Sequence, residues 1–106
     1  MISIVQDTTD QFGFDPSITL NPLLPHVLEA VVSLDFVKRD ATNAHNCIRT
    51  MQKLLIKSWH IPYRTNIKDM DLYFEDNTYL DYLKGLKKVF DPDNIISPGR
   101  YLPNDR

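Results

Sequence analysis

Glycine is scarce in this chain, and its three residues, Gly13, Gly85 and Gly99, stand far apart. No glycine-rich loop can therefore set successive backbone N–H groups against a pyrophosphate, which excludes a dinucleotide-binding half from this stretch of sequence. Cysteine is scarcer still: Cys47 alone allows neither an internal disulfide nor a multi-cysteine metal site. No apolar run approaches the ~20 residues of a membrane span. The N-terminus, Met1-Ile2-Ser3-Ile4-Val5-Gln6-Asp7, has neither the basic region nor the apolar core of a signal peptide. With no targeting segment, a soluble cytoplasmic protein is the expectation. A net charge of -2, from 12 basic and 14 acidic residues, gives no electrostatic reason to expect nucleic acid or an anionic membrane as partner.

What is present points to one small domain or a piece of one, since 106 residues bury roughly two-thirds of their unfolded surface. Ile2 to Gln11 carries helical spacing, with Gly13 as its C-cap. Pro16 to Leu20, with β-branched Ile18 and Thr19, reads as a short strand, and Pro22 and Pro25 break the chain into a turn. From His26 to Val37, Leu28, Ala30, Val32, Leu34 and Phe36 alternate with Glu29, Ser33 and Asp35, which predicts a strand. Asp40 or Thr42 caps a long helix whose apolar stripe runs through Ala44, Cys47, Ile48, Met51, Leu54, Leu55 and Trp59. After Pro62, Tyr63 to Asp71 reads as extended or irregular. Leu80, Leu83, Leu86 and Val89 or Phe90 then mark a last helix, capped by Asp76 or Asn77 and loaded with Lys84, Lys87 and Lys88 at its end. Pro92 stops it, Asn94 tolerates a left-handed backbone, and Pro98-Gly99 makes a second turn. The order predicts an α+β fold, a small antiparallel sheet with helices on one face. Its main core is Leu28, Ala30, Val32, Leu34 and Phe36 packed on Cys47, Met51, Leu54 and Leu55.

Few residues offer chemistry of their own. Tyr63 and Arg64 are adjacent, so on an extended segment they point to opposite sides, and only a bend brings both to one ligand. No histidine pairs with a cysteine or carboxylate at ligand spacing, so no metal site is expected. Asp69, Asp71, Glu75 and Asp76 lack the glycine and the twelve-residue ligand order of a calcium loop and read as a solvated loop. Cys47, on the apolar stripe, reads as core.

The stretch from Lys87 to Arg100, of the form Lys-Lys-x-Phe-Asp-Pro-x-x-Ile-Ile-x-Pro-Gly-Arg, is more specific than any of its parts. It resembles the C-terminal signature of FAD-linked oxidases. Upstream, Tyr63-Arg64-Thr65-Asn66-Ile67-Lys68-Asp69-Met70-Asp71 resembles a segment of the vanillyl-alcohol oxidase and p-cresol methylhydroxylase branch. Three positions depart from that pattern: Asn66 replaces the usual His, Asn94 the frequent Gly, and Arg100 the closing Lys.

The resemblance implies the C-terminal cap, or substrate, part of an FAD-dependent oxidoreductase, a fragment of a ferredoxin-like domain. It implies Tyr63, Arg64 and His26 as catalytic residues, Tyr63 and Arg64 holding a para-substituted phenol as phenolate with His26 at the edge of the cavity. Arg64 and Arg100 would stand at the flavin. A phenol titrates near pH ~10, and a guanidinium charged at any working pH favours its anion. The implied partners are a phenolic substrate and the missing FAD-binding domain, without which the chain is not expected to bind FAD or turn over. The tail alone also fits an FAD-linked dehydrogenase of 2-hydroxy acids, whereas a non-catalytic remnant or interaction domain would keep the packing without the activity.

Overall fold

The computed structural model describes residues 1–74, 77–100 and 102, with residue 77 described by its backbone alone. They adopt an α+β fold in the order α1 (Ile2–Phe12), β1 (Pro16–Leu24), β2 (Val27–Leu34), α2 (Ala41–Lys57) and α3 (Asn77–Phe90). The two strands form an antiparallel sheet, and short 3-10 segments cover Lys38–Asp40 and Ile67–Tyr73. The chain divides into two compact units, Met1–Ile61 and Pro62–Arg106. Among the described residues no helix is long and apolar enough to cross a membrane.

In the first unit α1 buries Val5, Thr8 and Thr9. Each threonine hydroxyl donates one turn back, Thr8 to Ile4 O at 2.7 Å and Thr9 to Val5 O at 3.0 Å, so the polar atoms enter the core already paired. Gly13 ends the helix with φ +75°. Its N–H donates to Asp10 O at 3.1 Å, and the N–H of Phe14 donates to Thr9 O at 2.9 Å, the paired bonds of a Schellman ending.

β1 continues past Leu20 and through Pro22, which lies opposite Leu28, to Leu24 opposite Val27; Leu23 is the extra residue of a register irregularity. Proline is tolerated here because both strands of a two-stranded sheet are edges. Pro25 and His26 form the connection, and neither has a positive φ. The primed turns that match strand twist are therefore not used, and the irregularity at Leu23 supplies local twist instead.

Ile18 pairs with Val32 in the ladder, and Leu34 lies two residues on, hence on the same face. These three pack with Phe12, Phe14 and Leu55 around buried Val5, Cys47 and Met51, so α1 and α2 cover that face of the sheet. The core is smaller than the alternation suggests. β2 ends at Leu34, which leaves Phe36 beyond the ladder and exposed, and Leu28 is exposed beside the hairpin connection. Leu55, four residues after Met51, takes the core position, and Leu54 turns outward. Asp40 occupies the N-cap of α2 without making a capping bond. Its φ of -96° and ψ of 5° are not the extended values that aim a cap side chain inward, and its carboxylate lies 3.7 Å from Arg39 Nε.

Trp59 is 88% exposed, not the last residue of the core stripe. α2 ends two residues earlier, at Lys57, and Trp59 adopts φ +61°, which swings its side chain off the helical face.

In the second unit the segment after Pro62 is more regular than its sequence suggests. Asn66 Oδ1 accepts the N–H of Lys68 at 3.0 Å, and this cap starts the 3-10 segment Ile67–Tyr73. Asp69 is fully buried there beside Met70, so the acidic stretch is not uniformly solvated. The rings of Phe74 and Tyr79 stack with centroids 6.5 Å apart. α3 begins at Asn77; the caps expected from Asp76 and the Asn77 side chain, and the acidic Glu75, lie outside the described residues.

Candidate functional site

The residues that end α3 form the most densely bonded polar site in the described structure. Asp91 follows the last helical residue, and its N–H still donates to Lys87 O at 2.8 Å. Pro92 then stands second in a turn closed by the Asn94 N–H donating to Asp91 O at 3.0 Å. Asn94 adopts φ +51°, which returns the chain toward the helix end. The N–H groups of Ile95 and Ile96 donate to the two oxygens of the Asp91 carboxylate at 2.9 and 2.8 Å.

Lys87, one turn back on α3, donates to the same carboxylate and to Ile96 O. Asp91 is thus a buried acceptor with three donors, and it joins the helix end to the tail. The Lys87 hydrogen bond first, with the two backbone N–H groups, holds its carboxyl below the ordinary carboxylate range, against the opposing effect of burial. Pro98 is second in a further turn, closed by the Arg100 N–H donating to Ser97 O at 3.1 Å. Gly99 at φ +75° is the third residue, the type II pattern.

This tail borders an open groove of about 400 Å³ lined by Leu83, Leu86, Lys87, Phe90, Arg100 and Leu102. Four of the lining side chains are apolar and two are cationic, and the Lys87 ammonium is already engaged by the Asp91 carboxylate. Arg100, implied at the flavin by the sequence resemblance, is one of those cations.

Tyr63 and Arg64 lie in the same unit on the strap between Pro62 and the capped 3-10 segment, and they do not line this groove. The backbone bends at Tyr63, and both side chains are exposed. Tyr73 Oη donates to Pro62 O at 2.6 Å, closing the base of the strap. His26 belongs to the first unit, in the exposed hairpin connection. Cys47, buried in the first unit, has its thiol pushed up by desolvation, which keeps it protonated and poorly nucleophilic. Among the described residues no group of three His, Cys, Asp or Glu is placed to hold a metal ion.

Sequence reasoning missed Asp91 as an acceptor hub and Tyr73 as a tie. The signals were the i,i+4 pairing of Lys87 with Asp91 and the Asp-Pro turn that brings later amides back. Nothing local marks Tyr73, whose partner lies eleven residues away.

No family model matches the chain, and no solved structure matches it significantly. It is similar to the 1'-carboxy-chondrochloren decarboxylase of Chondromyces crocatus, 26% identical over 104 residues. The alignment covers 94% of this chain and 19% of the decarboxylase, so the chain spans about one-fifth of that relative's length.

Proposed function

We propose that this chain is the C-terminal cap part of an FAD-dependent oxidoreductase of the vanillyl-alcohol oxidase and p-cresol methylhydroxylase type, acting on a para-substituted phenol. The observation that carries the reading is the Lys87 to Arg100 string, together with the work its residues do in the tail. Lys87 and Asp91 form the hub, Pro92 and Pro98 take the second positions of two turns, and Asn94 and Gly99 take positive φ. Lys87, Asp91, Pro92, Pro98 and Gly99 are thus matched positions whose residue types have a structural use in the tail.

The residues present do not make an FAD site by themselves. Gly13 and Gly99 serve a helix end and a turn, Gly85 lies inside α3, and none belongs to a phosphate-cradling loop. On this reading FAD would be held by a separate binding domain, and the flavin there would supply the oxidising power. What this chain contributes is binding and orientation. The guanidinium of Arg64 and the hydroxyl of Tyr63 hold the phenol oxygen as its anion, which raises electron density at the para carbon. Tyr79, Tyr82, Val89, Phe90, Ile95 and Ile96 are exposed on α3 and the tail, the kind of apolar surface another polypeptide covers.

The test is a chimera in which these residues replace the C-terminal segment of a vanillyl-alcohol oxidase-type enzyme. Retained flavin that p-cresol bleaches under anaerobic conditions is the expected result. Flavin retained but inert to p-cresol, while the parent enzyme is reduced, overturns the phenol assignment.

The similarity to a decarboxylase favours a second reading, in which the substrate carries a carboxylate and the Arg64 fork binds it bidentately. Carbon dioxide release by the chimera from a 4-hydroxyphenyl carboxylic acid, with no oxidation of p-cresol, selects that reading.

A further inference from the structure

We infer that Tyr73 is the positioning residue for the Tyr63–Arg64 pair, acting through the carbonyl of Pro62. The inference rests on the reading of that pair as a substrate-holding site. The Pro62 carbonyl and the Tyr63 nitrogen belong to one planar peptide unit. The Tyr73 hydroxyl donates to that carbonyl at 2.6 Å in a half-buried setting, and by fixing the plane it fixes the direction in which the Tyr63 Cα leaves the bend.

The other end of the strap is held twice. Asn66 Oδ1 accepts the Lys68 N–H at 3.0 Å, and Asn66 O accepts the Asp69 N–H at 3.0 Å. Three residues, Tyr63, Arg64 and Thr65, are thus strung between two anchored peptide units. A strap so short has little freedom left once both ends are set. The exposed side chains of Tyr63 and Arg64 stand on this strap, so the anchors at its two ends set their aim. Tyr73 itself is the last residue of the 3-10 segment that contains buried Asp69 and Met70, which makes it a rigid post.

Tyr73→Phe removes the hydroxyl and keeps the ring. In the full 106-residue chain, trypsin should cleave after Arg64 about three- to tenfold faster in this variant, the loss expected for one hydrogen bond. Cleavage after Arg49 within α2 serves as the internal reference. The amide signals of Tyr63 and Arg64 and the Arg64 Nε–Hε signal should move, with the urea midpoint of the chain unchanged. Asn66→Ala should loosen the strap from the other end, and Asn66→Asp, which keeps the capping acceptor, should restore it.

Unchanged cleavage after Arg64 and unchanged Tyr63 and Arg64 signals in Tyr73→Phe overturn the inference. So does acceleration matched by equal loss of the whole fold. In the chimera, Tyr73→Phe should raise the KM for p-cresol more than it lowers kcat. If the strap loosens as expected while the unmodified chimera ignores p-cresol, the positioning role stands and the phenol reading falls.

Discussion

Gly13 and Trp59 occupy the same place in the same helix ending. Gly13 donates to Asp10 O with Phe14 donating to Thr9 O, and Trp59 donates to Ile56 O at 3.0 Å with His60 donating to Leu55 O at 2.9 Å. Both take positive φ, +75° and +61°. The left-handed backbone suits glycine and strains a residue with a Cβ by about 1–2 kcal/mol, so identical hydrogen bonding comes at different conformational cost at the two ends.

Trp59→Gly should accordingly stabilise the chain by about 1 kcal/mol, because the exposed indole gives up little packing when removed. Gly13→Ala should destabilise by about 1 kcal/mol. A Cβ there meets nothing within 4 Å, so the cost is conformational and not steric. Urea unfolding followed by circular dichroism measures both. A loss of stability in Trp59→Gly would mean that the indole is held by contacts that outweigh the strain.

The sheet-to-helix core gives a sharper test. Val32 faces Val5, Cys47 and Met51 from the strand opposite Ile18. Val32→Asp places a charge without a partner against that cluster and should cost about 3 kcal/mol. An unchanged urea midpoint would show that this face is not the buried one.

Cys47 should resist alkylation by iodoacetamide at pH 8 and react rapidly only in denaturant, since its thiol is buried and its pKa raised. A folded-state pKa above the unfolded value means the contribution to stability is full below the ordinary thiol range. It is lost as pH rises through that range toward the folded value. Fast labelling of the native chain at pH 8 would overturn the assignment of Cys47 to the core.

The Asp91 hub has the opposite sign. Its carboxyl is held below the ordinary carboxylate range, so the hub contributes fully above that range and is lost as pH falls through the lower, folded value. The amide signals of Ile95 and Ile96 should titrate together with a midpoint below that of an exposed aspartate. Asp91→Asn keeps the shape but loses the charge-assisted bond to Lys87, and should detach the tail from α3 while leaving the first unit intact. Ile95 and Ile96 signals that follow an ordinary carboxylate midpoint would contradict the hub.

Much of this was legible where one residue type answers one local demand. Gly13 and Asn94 were readable as left-handed positions, Pro92 and Pro98 as turn formers, and the Cys47–Met51 stripe as core, because each signal lies within one or two turns of chain. Trp59 was not legible, because a helical stripe continues in sequence after the helix has ended in space. Pro22 reads as a breaker only if a strand is assumed to be flanked on both sides, and here neither strand is. The Asp91 carboxylate and the Tyr73 hydroxyl act through backbone groups several residues away, and such bonds leave no periodic trace. At the candidate site, the need for a bend near Tyr63 followed from the adjacency of Tyr63 and Arg64, whereas the ties that shape the strap did not.

Arg64→Lys is the substitution that bears most directly on function. Lysine keeps the positive charge but replaces a planar fork of donors by a single point, so it can attract a phenolate without fixing its orientation. In the chimera, turnover of p-cresol should fall by about ten- to a hundredfold, the loss expected when a charge-assisted bond to the reacting molecule is weakened. The urea midpoint should stay within error, because Arg64 is exposed on the strap and not part of the packed core. Tyr63→Phe should lower turnover in the same direction and shift the pH profile upward, since the remaining guanidinium alone must then favour the anion. If Arg64→Lys leaves turnover intact while Asp91→Asn abolishes flavin retention, the tail resemblance survives as architecture, and the proposed phenol-holding role of Arg64 falls.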